Sequence, residues 1–360
     1  MNVSVFRGKR VLLTGHTGFK GSWLALWLHR LGAEVYGYSL PPPTEPSNYA
    51  RAKVSALLAG ETLGDIRNRQ QMCEALTAFK PDVVFHLAAQ PLVRDSYAMP
   101  FETFEVNVLG TASVLDAVRA LKRPCAVVCI TTDKCYENRE QVWGYRECDP
   151  MGGYDPYSAS KGAAEILIAS YRRSFFNPSG LGQHGVQVAS ARAGNVIGGG
   201  DWARDRIVTD MVAALTAGRP VPVRNPHAIR PWQHVLEPLS GYLTLAAAML
   251  ERPAADWASG WNFGPVSGTE LPVGDLVAAF VKAWGSGTWV DQSSPDQPHE
   301  ASILRLSIEK AGWELGWRPR WSSEEMVERT AQWYRRVLCE GADARTACEA
   351  DIEAYGDLLA

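Results

Sequence analysis

Residues 9–28, KRVLLTGHTGFKGSWLALWL, decide how the rest of the chain is to be read. The β-prone run Val11–Thr14 leads into Gly15, Gly18 and Gly21, and apolar residues then recur at Trp23, Leu24, Leu26, Trp27 and Leu28. That pattern predicts a strand, a tight turn and a helix. Three glycines by themselves can be no more than a turn. Between a strand and a helix they also let the backbone approach a pyrophosphate, to which the helix offers unpaired N–H groups and its positive dipole end. Gly15, Thr17, Gly18, Phe19, Lys20 and Gly21 are the expected phosphate contacts of a bound dinucleotide. The spacing is G-x-x-G-x-x-G and not G-x-G-x-x-G.

Outward from this stretch, strands and helices alternate. Glu34–Ser39 reads as a second strand, ended by the proline-rich loop 41–46. Ser39 stands where an acidic residue usually grips the adenosine ribose, and no arginine follows directly to receive a 2′-phosphate, so NAD and NADP are not separated locally. Gly64-Asp65-Ile66 closes a short strand; Asp65 suits an adenine contact or a helix N-cap equally, with Ile66 beside it. Asp82–His86 is a buried strand running into Leu87, Ala88, Ala89 and Gln90, small enough for phosphate and ribose to lie against the backbone. A helix over 101–121 carries Asn107, and the strand from Cys125 ends in Thr131-Thr132-Asp133-Lys134; Asn107 and Thr131 are expected among the cofactor contacts. The rhythm predicts an α/β fold, a doubly wound parallel Rossmann sheet with its ligand at the strands' C-terminal ends, and chemistry near 131–134.

Tyr157 and Lys161 lie four apart at the start of the next apolar helix, hence on one face. The ammonium can lower the phenol's pKa and touch a nicotinamide ribose, making a general base for a sugar hydroxyl. The alternative is a surface Tyr/Lys pair; the glycine turn upstream and Thr132 at a strand end favour catalysis. A strand at 186–192 and a glycine-rich turn at 195–202 follow, and then the rhythm breaks, with helices expected near 207–217, 235–250, 273–284 and 323–339. We expect an NAD-binding domain over 1–193 and a smaller mixed α/β substrate domain over 194–360, interleaved with it. Arg204, Arg206, Arg224 and Arg230 fall in loops of the second half; each alone suits a solvated surface, but together they favour a diphosphate. A short amphipathic helix within 342–360 has no evident catalytic value.

Composition narrows the classes. A net charge of -3 without a basic run gives no reason to propose nucleic acid. No apolar run reaches the roughly 18 residues of a membrane span, and a strand starting near Val11 leaves no room for a signal peptide, so a cytoplasmic protein is expected. The seven cysteines form no C-x-x-C pair and no zinc-like grouping, so no metal is expected and the thiols suit a reducing compartment.

These segments together resemble the extended short-chain dehydrogenase/reductases acting on nucleotide sugars: TGHTGFKG at 14–21, HLAAQ at 86–90, Asn107, Thr132, YSASK at 157–161, RAGN at 192–195, RPWQHV at 230–235 and WNFGP at 261–265. TTDKCYEN at 131–138, GGYDPYSASKG at 153–162, GNVIGGGDWA at 194–203 and RNPHAIRPWQHVLEPLSGY at 224–242 resemble the CDP-glucose 4,6-dehydratases in particular. The resemblance implies NAD as cofactor, CDP-glucose as substrate and CDP-4-keto-6-deoxyglucose as product, on a route to bacterial surface dideoxyhexoses. It also implies a homodimer or homotetramer pairing helices 101–121 and 157–174, and substrate contacts from Arg94, Asn195, the four arginines above, His234, Asn262 and His299.

The implied reaction has three steps. Tyr157, with Lys161 and Thr132, removes the 4-hydroxyl proton as hydride leaves C4; the 4-ketone then acidifies C5–H, water is lost across C5 and C6, and hydride returns to C6. Asp133 is expected as the acid to the 6-hydroxyl and Lys134 as the C5 base, or else as a charge partner of Asp133. dTDP-glucose dehydratases carry Asp-Glu at this position. A 4-epimerase needs Tyr157, Lys161 and Thr132 but has no use for the adjacent pair. The family's late arginine is replaced by Pro298-His299-Glu300-Ala301.

Overall fold

The computed structural model describes residues 3–293 and 304–357. His299 and the segment around it therefore lie outside the described residues.

Seven strands make the central sheet: β1 (Arg10–Thr14), β2 (Glu34–Ser39), β3 (Gly60–Leu63), β4 (Val83–His86), β5 (Cys125–Ile130), β6 (Val186–Ala193) and β7 (Gly260–Phe263). Their order is β7-β6-β5-β4-β1-β2-β3, and every pairing is parallel. β4, β5 and β6 are buried throughout, as strands covered by helices on both faces must be. The order reverses between β1 and β4, so a crevice opens beyond Thr14 and His86, where such sheets bind ligands.

The expected helices are present as α1 (Phe19–Arg30), α2 (Arg69–Phe79), α3 (Gly110–Leu121), α4 (Pro156–Ser174), α5 (Ile207–Thr216), α6 (Leu236–Glu251), α7 (Val273–Trp284), α8 (Ser323–Leu338) and α9 (Ala344–Asp357). The helix expected over 101–121 is interrupted: Pro100–Phe104 is α-helical, Glu105–Leu109 makes a π turn, and α3 continues. Asp65 does not cap α2. Asn68 does so, its side chain accepting from the Gln71 amide, whereas Asp65 accepts from the Arg67 amide.

The chain division at 193 is crossed in both packing and sheet. β7 returns to pair with β6, and one apolar core runs from Phe6 through Trp23 and Leu239 to Tyr355. Residues 21–28 of α1 are all buried because the helix is covered on both sides. Trp23 donates to the Gly199 carbonyl at 2.9 Å, and Trp27 meets Tyr355 of α9 edge-on at 5.7 Å. α9 thus braces the helix that follows the glycine turn.

Candidate active site

The glycine turn is as tight as its sequence requires. Gly15 has φ +76, and a Cβ there would lie 2.7 Å from the Ala88 amide nitrogen; a Cβ on Gly21 would lie 2.0 Å from the Gly15 carbonyl oxygen. Only glycine fits either place. Gly18 is the N-cap of α1 and no side chain caps that end, so its first-turn N–H groups face the cleft as anion donors. Beside it, Thr17 donates to the Leu40 carbonyl and accepts from Ser39 at 2.8 Å, which leaves Ser39's lone pairs for a ribose hydroxyl. Across the crevice, the Leu87 and Ala88 amides both donate to Thr14 Oγ1 at 3.1 Å, and Ala89 follows them at the rim. Asn107, in the π turn, accepts from the Gln90 amide at 2.9 Å and donates to the Gln90 carbonyl at 3.1 Å and to Ser160 at 2.8 Å. It ties the rim after β4 to the catalytic helix.

Two expected cofactor contacts are committed elsewhere. Ile66 is buried in the core against Gly110, and the Thr131 hydroxyl donates its only proton to Glu165. Asp65 is held by Arg67 at 2.6 Å, and Arg67 also faces Glu102 and Glu105.

Beyond β5, Thr132 caps the 3-10 turn Asp133–Cys135 and donates to Asp133 Oδ1 at 2.9 Å. Asp133 is buried, which raises its pKa, and its Oδ2 has no hydrogen-bond partner. Gly194 keeps that oxygen approachable, since a Cβ there would come within 2.9 Å of it. Lys134 sits half-buried on the same turn. Tyr157 faces Thr132 from the first turn of α4, and Lys161 lies one turn on.

The expected lowering of the phenol pKa by Lys161 is not what the site shows. Burial pushes Tyr157 up to about 12; its hydrogen bond with Thr132 and the charge of Arg206 oppose this. Lys161 instead donates to the Ile130 carbonyl at 3.4 Å, and burial brings it down to about 8 against the pull of Glu165. Desolvation outweighs the neighbouring charge for both groups.

The arginines do not meet at one point. Arg94 and Arg224 share Asp205 at 2.9 and 3.7 Å, Arg204 is exposed beside Asp95 at 3.5 Å, and Arg206 pairs with Asp201 at 3.1 Å. Arg230 faces Asp133, and Asn195 accepts from the Gln233 amide between the sheet and that segment. His234 and Asn262 must be withdrawn as substrate contacts. The His234 ring is fully buried between Trp23 and Trp321, and the Asn262 amide donates to the Tyr145 and Ser307 carbonyls while accepting from Tyr136.

Sequence reading missed the network behind the site. Glu165 takes hydrogen bonds from Thr131, Ser190 at 2.7 Å and Arg192 at 2.8 and 3.0 Å, locking α4 to β5 and β6. Tyr157, Lys161 and Glu165 recur every four residues, so the signal was present. Tyr242 of α6, which approaches Lys20 and Tyr157, had no local signal.

Residues 12–330 match the GDP-mannose 4,6-dehydratase family. The chain belongs to this family. Within it, the chain is 48% identical over 351 residues to the CDP-glucose 4,6-dehydratase of Salmonella typhimurium, covering 97% of each. It is 32% identical over 274 residues to the dTDP-glucose 4,6-dehydratase of Streptomyces antibioticus, covering 76% of this chain and 75% of that one. Among solved structures, it superimposes on a UDP-glucose-4-epimerase from Stenotrophomonas maltophila with a TM-score of 0.78 at 22% identity, covering 93% of this chain and 100% of that one. A dTDP-glucose 4,6-dehydratase from Streptomyces venezuelae gives 0.77 at 22% identity, covering 93% and 99%. Those two likenesses establish the fold that dehydratases and epimerases share, and the family's central sheet is the one described above.

Proposed function

We propose that the protein dehydrates CDP-glucose to CDP-4-keto-6-deoxyglucose with NAD as cofactor. The observation that carries this reading is Asp133: a buried carboxyl, held on one oxygen by Thr132 and unpartnered on the other, in the same cleft as Tyr157. An epimerase has no task for it. The 48% identity to a curated CDP-glucose enzyme over nearly the whole chain supports the substrate.

The cradle of Gly15–Gly21, the acceptor at Ser39 and the rim Leu87–Gln90 fit a dinucleotide. Arg67 is already engaged by three carboxylates and is not a free cation for a 2′-phosphate, in keeping with NAD. The chemistry supplied by the bound cofactor is hydride acceptance from C4 and hydride return to C6. Tyr157 takes the proton of the 4-hydroxyl, with Thr132 and Arg206 as the groups that stabilise its anion. Asp133, whose pKa burial raises, is the acid that gives a proton to the departing 6-hydroxyl. Lys134, on the same turn, takes the C5 proton and gives it back. Arg94 and Arg224, which share Asp205, supply planar donors for the substrate diphosphate.

A homodimer is part of this reading. Phe101, Leu109 and Ile166 are 76%, 59% and 59% exposed on the Pro100–Leu121 and α4 helices, an apolar face suited to a second copy. The cysteines among the described residues are all unpaired thiols, which supports a cytoplasmic location, and no helix there is long and apolar enough to cross a membrane.

The test is incubation with NAD and CDP-, dTDP-, UDP- and GDP-hexoses. The 4-keto-6-deoxy product is expected from CDP-glucose first. A 4-epimer as product, or no product from any CDP-hexose, would overturn the reading.

A further inference from the structure

Arg192, the last residue but one of β6, is 5% exposed, and its guanidinium spends its donors on two separate parts of the site. Nε and Nη2 take the two carboxylate oxygens of Glu165 on α4 at 3.0 and 2.8 Å. The third nitrogen, Nη1, donates to the Tyr136 hydroxyl at 2.6 Å and to the Glu147 carbonyl at 3.2 Å. Gly260 of β7 leaves room for this fork, since a Cβ there would lie 2.5 Å from Nη2. Neutrality needs less than that. Glu165 alone balances the buried charge, and Thr131 and Ser190 already fasten that carboxylate to β5 and β6. The bond to Tyr136 reaches the other half of the site. Tyr136 directly follows the Asp133–Cys135 turn, its amide donates to the Asp133 carbonyl at 3.5 Å, its ring stacks on Tyr145 at 5.2 Å, and its hydroxyl donates onward to Asn262 at 2.8 Å. Where this turn crosses α4 it meets Gly162, at which a Cβ would lie 3.2 Å from the Cys135 carbonyl oxygen. No side chain at that crossing ties the turn to the helix.

Resting on the reading that this cleft oxidises C4 and then eliminates water, we infer that Arg192 is a positioning residue that fixes the Asp133–Lys134 turn relative to Tyr157 and Lys161, so that one bound sugar meets both halves of the reaction. It acts through Glu165 on the helix side and through Tyr136 on the turn side. A planar guanidinium spans two such partners at once, and a lysine, with a single nitrogen, does not. Oxidation needs α4 and Thr132 in place. Elimination also needs the acid and the base of the turn at C6 and C5 of the same sugar, and a misplacement of about 1 Å there costs on the order of 10²-fold. Loosening one side of the fork should therefore slow one half of the reaction more than the other.

Single-turnover mixing of the full-length protein, saturated with NAD, with CDP-glucose reads the two halves apart. The rise of NADH absorbance follows oxidation at C4, and its decay, with uptake of solvent deuterium at C5, follows elimination and hydride return. Tyr136→Phe keeps the ring stacked on Tyr145 and removes the hydroxyl that Arg192 holds. Its NADH should rise at close to the wild-type rate and decay about 10–100-fold more slowly. Glu165→Gln loosens the helix side, so the rise itself should slow by a similar factor and no NADH should accumulate. Arg192→Lys should show both defects. Circular dichroism melts above the assay temperature show which variants are folded, and Tyr136→Phe, the mildest change, decides the matter if the other two are not. Equal slowing of rise and decay in Tyr136→Phe, or no change in either, would overturn the inference and leave Arg192 as a core ion pair. A normal rise with a slow decay in Glu165→Gln would overturn it too. A wild type that forms neither NADH nor a 4-keto-6-deoxy product would instead overturn the reading of the reaction.

Discussion

Asp133 and Lys134 are neighbours in sequence but meet different surroundings, one buried and unpartnered on Oδ2, the other half-buried. Their separate tasks can be told apart from oxidation at C4. Tyr157→Phe should abolish every step, because no ketone forms and C5–H stays non-acidic. Lys134→Met should still generate NADH absorbance with CDP-glucose, while exchange of the C5 proton with deuterated solvent and water release both fall about 10²–10⁴-fold. Near-normal dehydration by Lys134→Met would reduce the lysine to a charge partner of Asp133. Elsewhere in the chain, burial makes two histidines sensors of acid. His86 and His234 are brought from 6.5 down to about 3, so both are neutral when folded. Below pH 6.5 the unfolded chain takes up protons that the folded chain cannot, and each histidine should cost about 1.4 kcal/mol per pH unit until about pH 3. Thermal melts between about pH 8 and 5 check this: the loss per unit should be shallower in His234→Asn than in the wild type. An equal slope would mean that His234 does not titrate as its burial requires.

At the scale of elements, strands and helices were legible because burial imposes period on them. Glu34–Ser39 is the strand the alternation predicts, and α5 to α8 begin within two residues of their expected starts. The π turn was not legible, since Glu105–Leu109 contains no glycine or proline to mark it. Its consequence is visible only in three dimensions: the widened turn aims Asn107 at the Gln90 backbone and Ser160 together. Asn107→Asp keeps the shape but replaces the amide donor with an oxygen facing the Gln90 carbonyl. A stability loss of about 1–3 kcal/mol in urea unfolding is expected, along with a fall in kcat as α4 loses its tie. An unchanged unfolding midpoint would show that the turn is held by its backbone alone. The arginines were harder to read than the catalytic turn, because loops place side chains by long-range pairing. Asp205 and Asp201, not any local pattern, fix where Arg94, Arg224 and Arg206 point.

For the whole molecule, a cleft at the strands' C-terminal ends could be placed from the alternation of strands and helices, but its bracing could not. Tyr355 of α9 donates to the buried Glu237 of α6 and packs on Trp27 of α1, contacts between residues more than one hundred positions apart. Ile166, on the apolar face shared with Pro100–Leu121, belongs to α4, the helix bearing Tyr157, so pairing there would stiffen the site. Light scattering at micromolar concentration should give a dimer or a multiple of it, and Ile166→Glu should shift the wild-type mass toward the monomer; a monomeric wild type would contradict the pairing. The central claim is that one site oxidises C4, eliminates water and returns the same hydride to C6. CDP-glucose carrying deuterium at C4, incubated with the protein and NAD, tests it in one spectrum. The account predicts 4-keto-6-deoxy product with the label at C6, and label retained at C4 of an epimer, or lost to solvent, would contradict it.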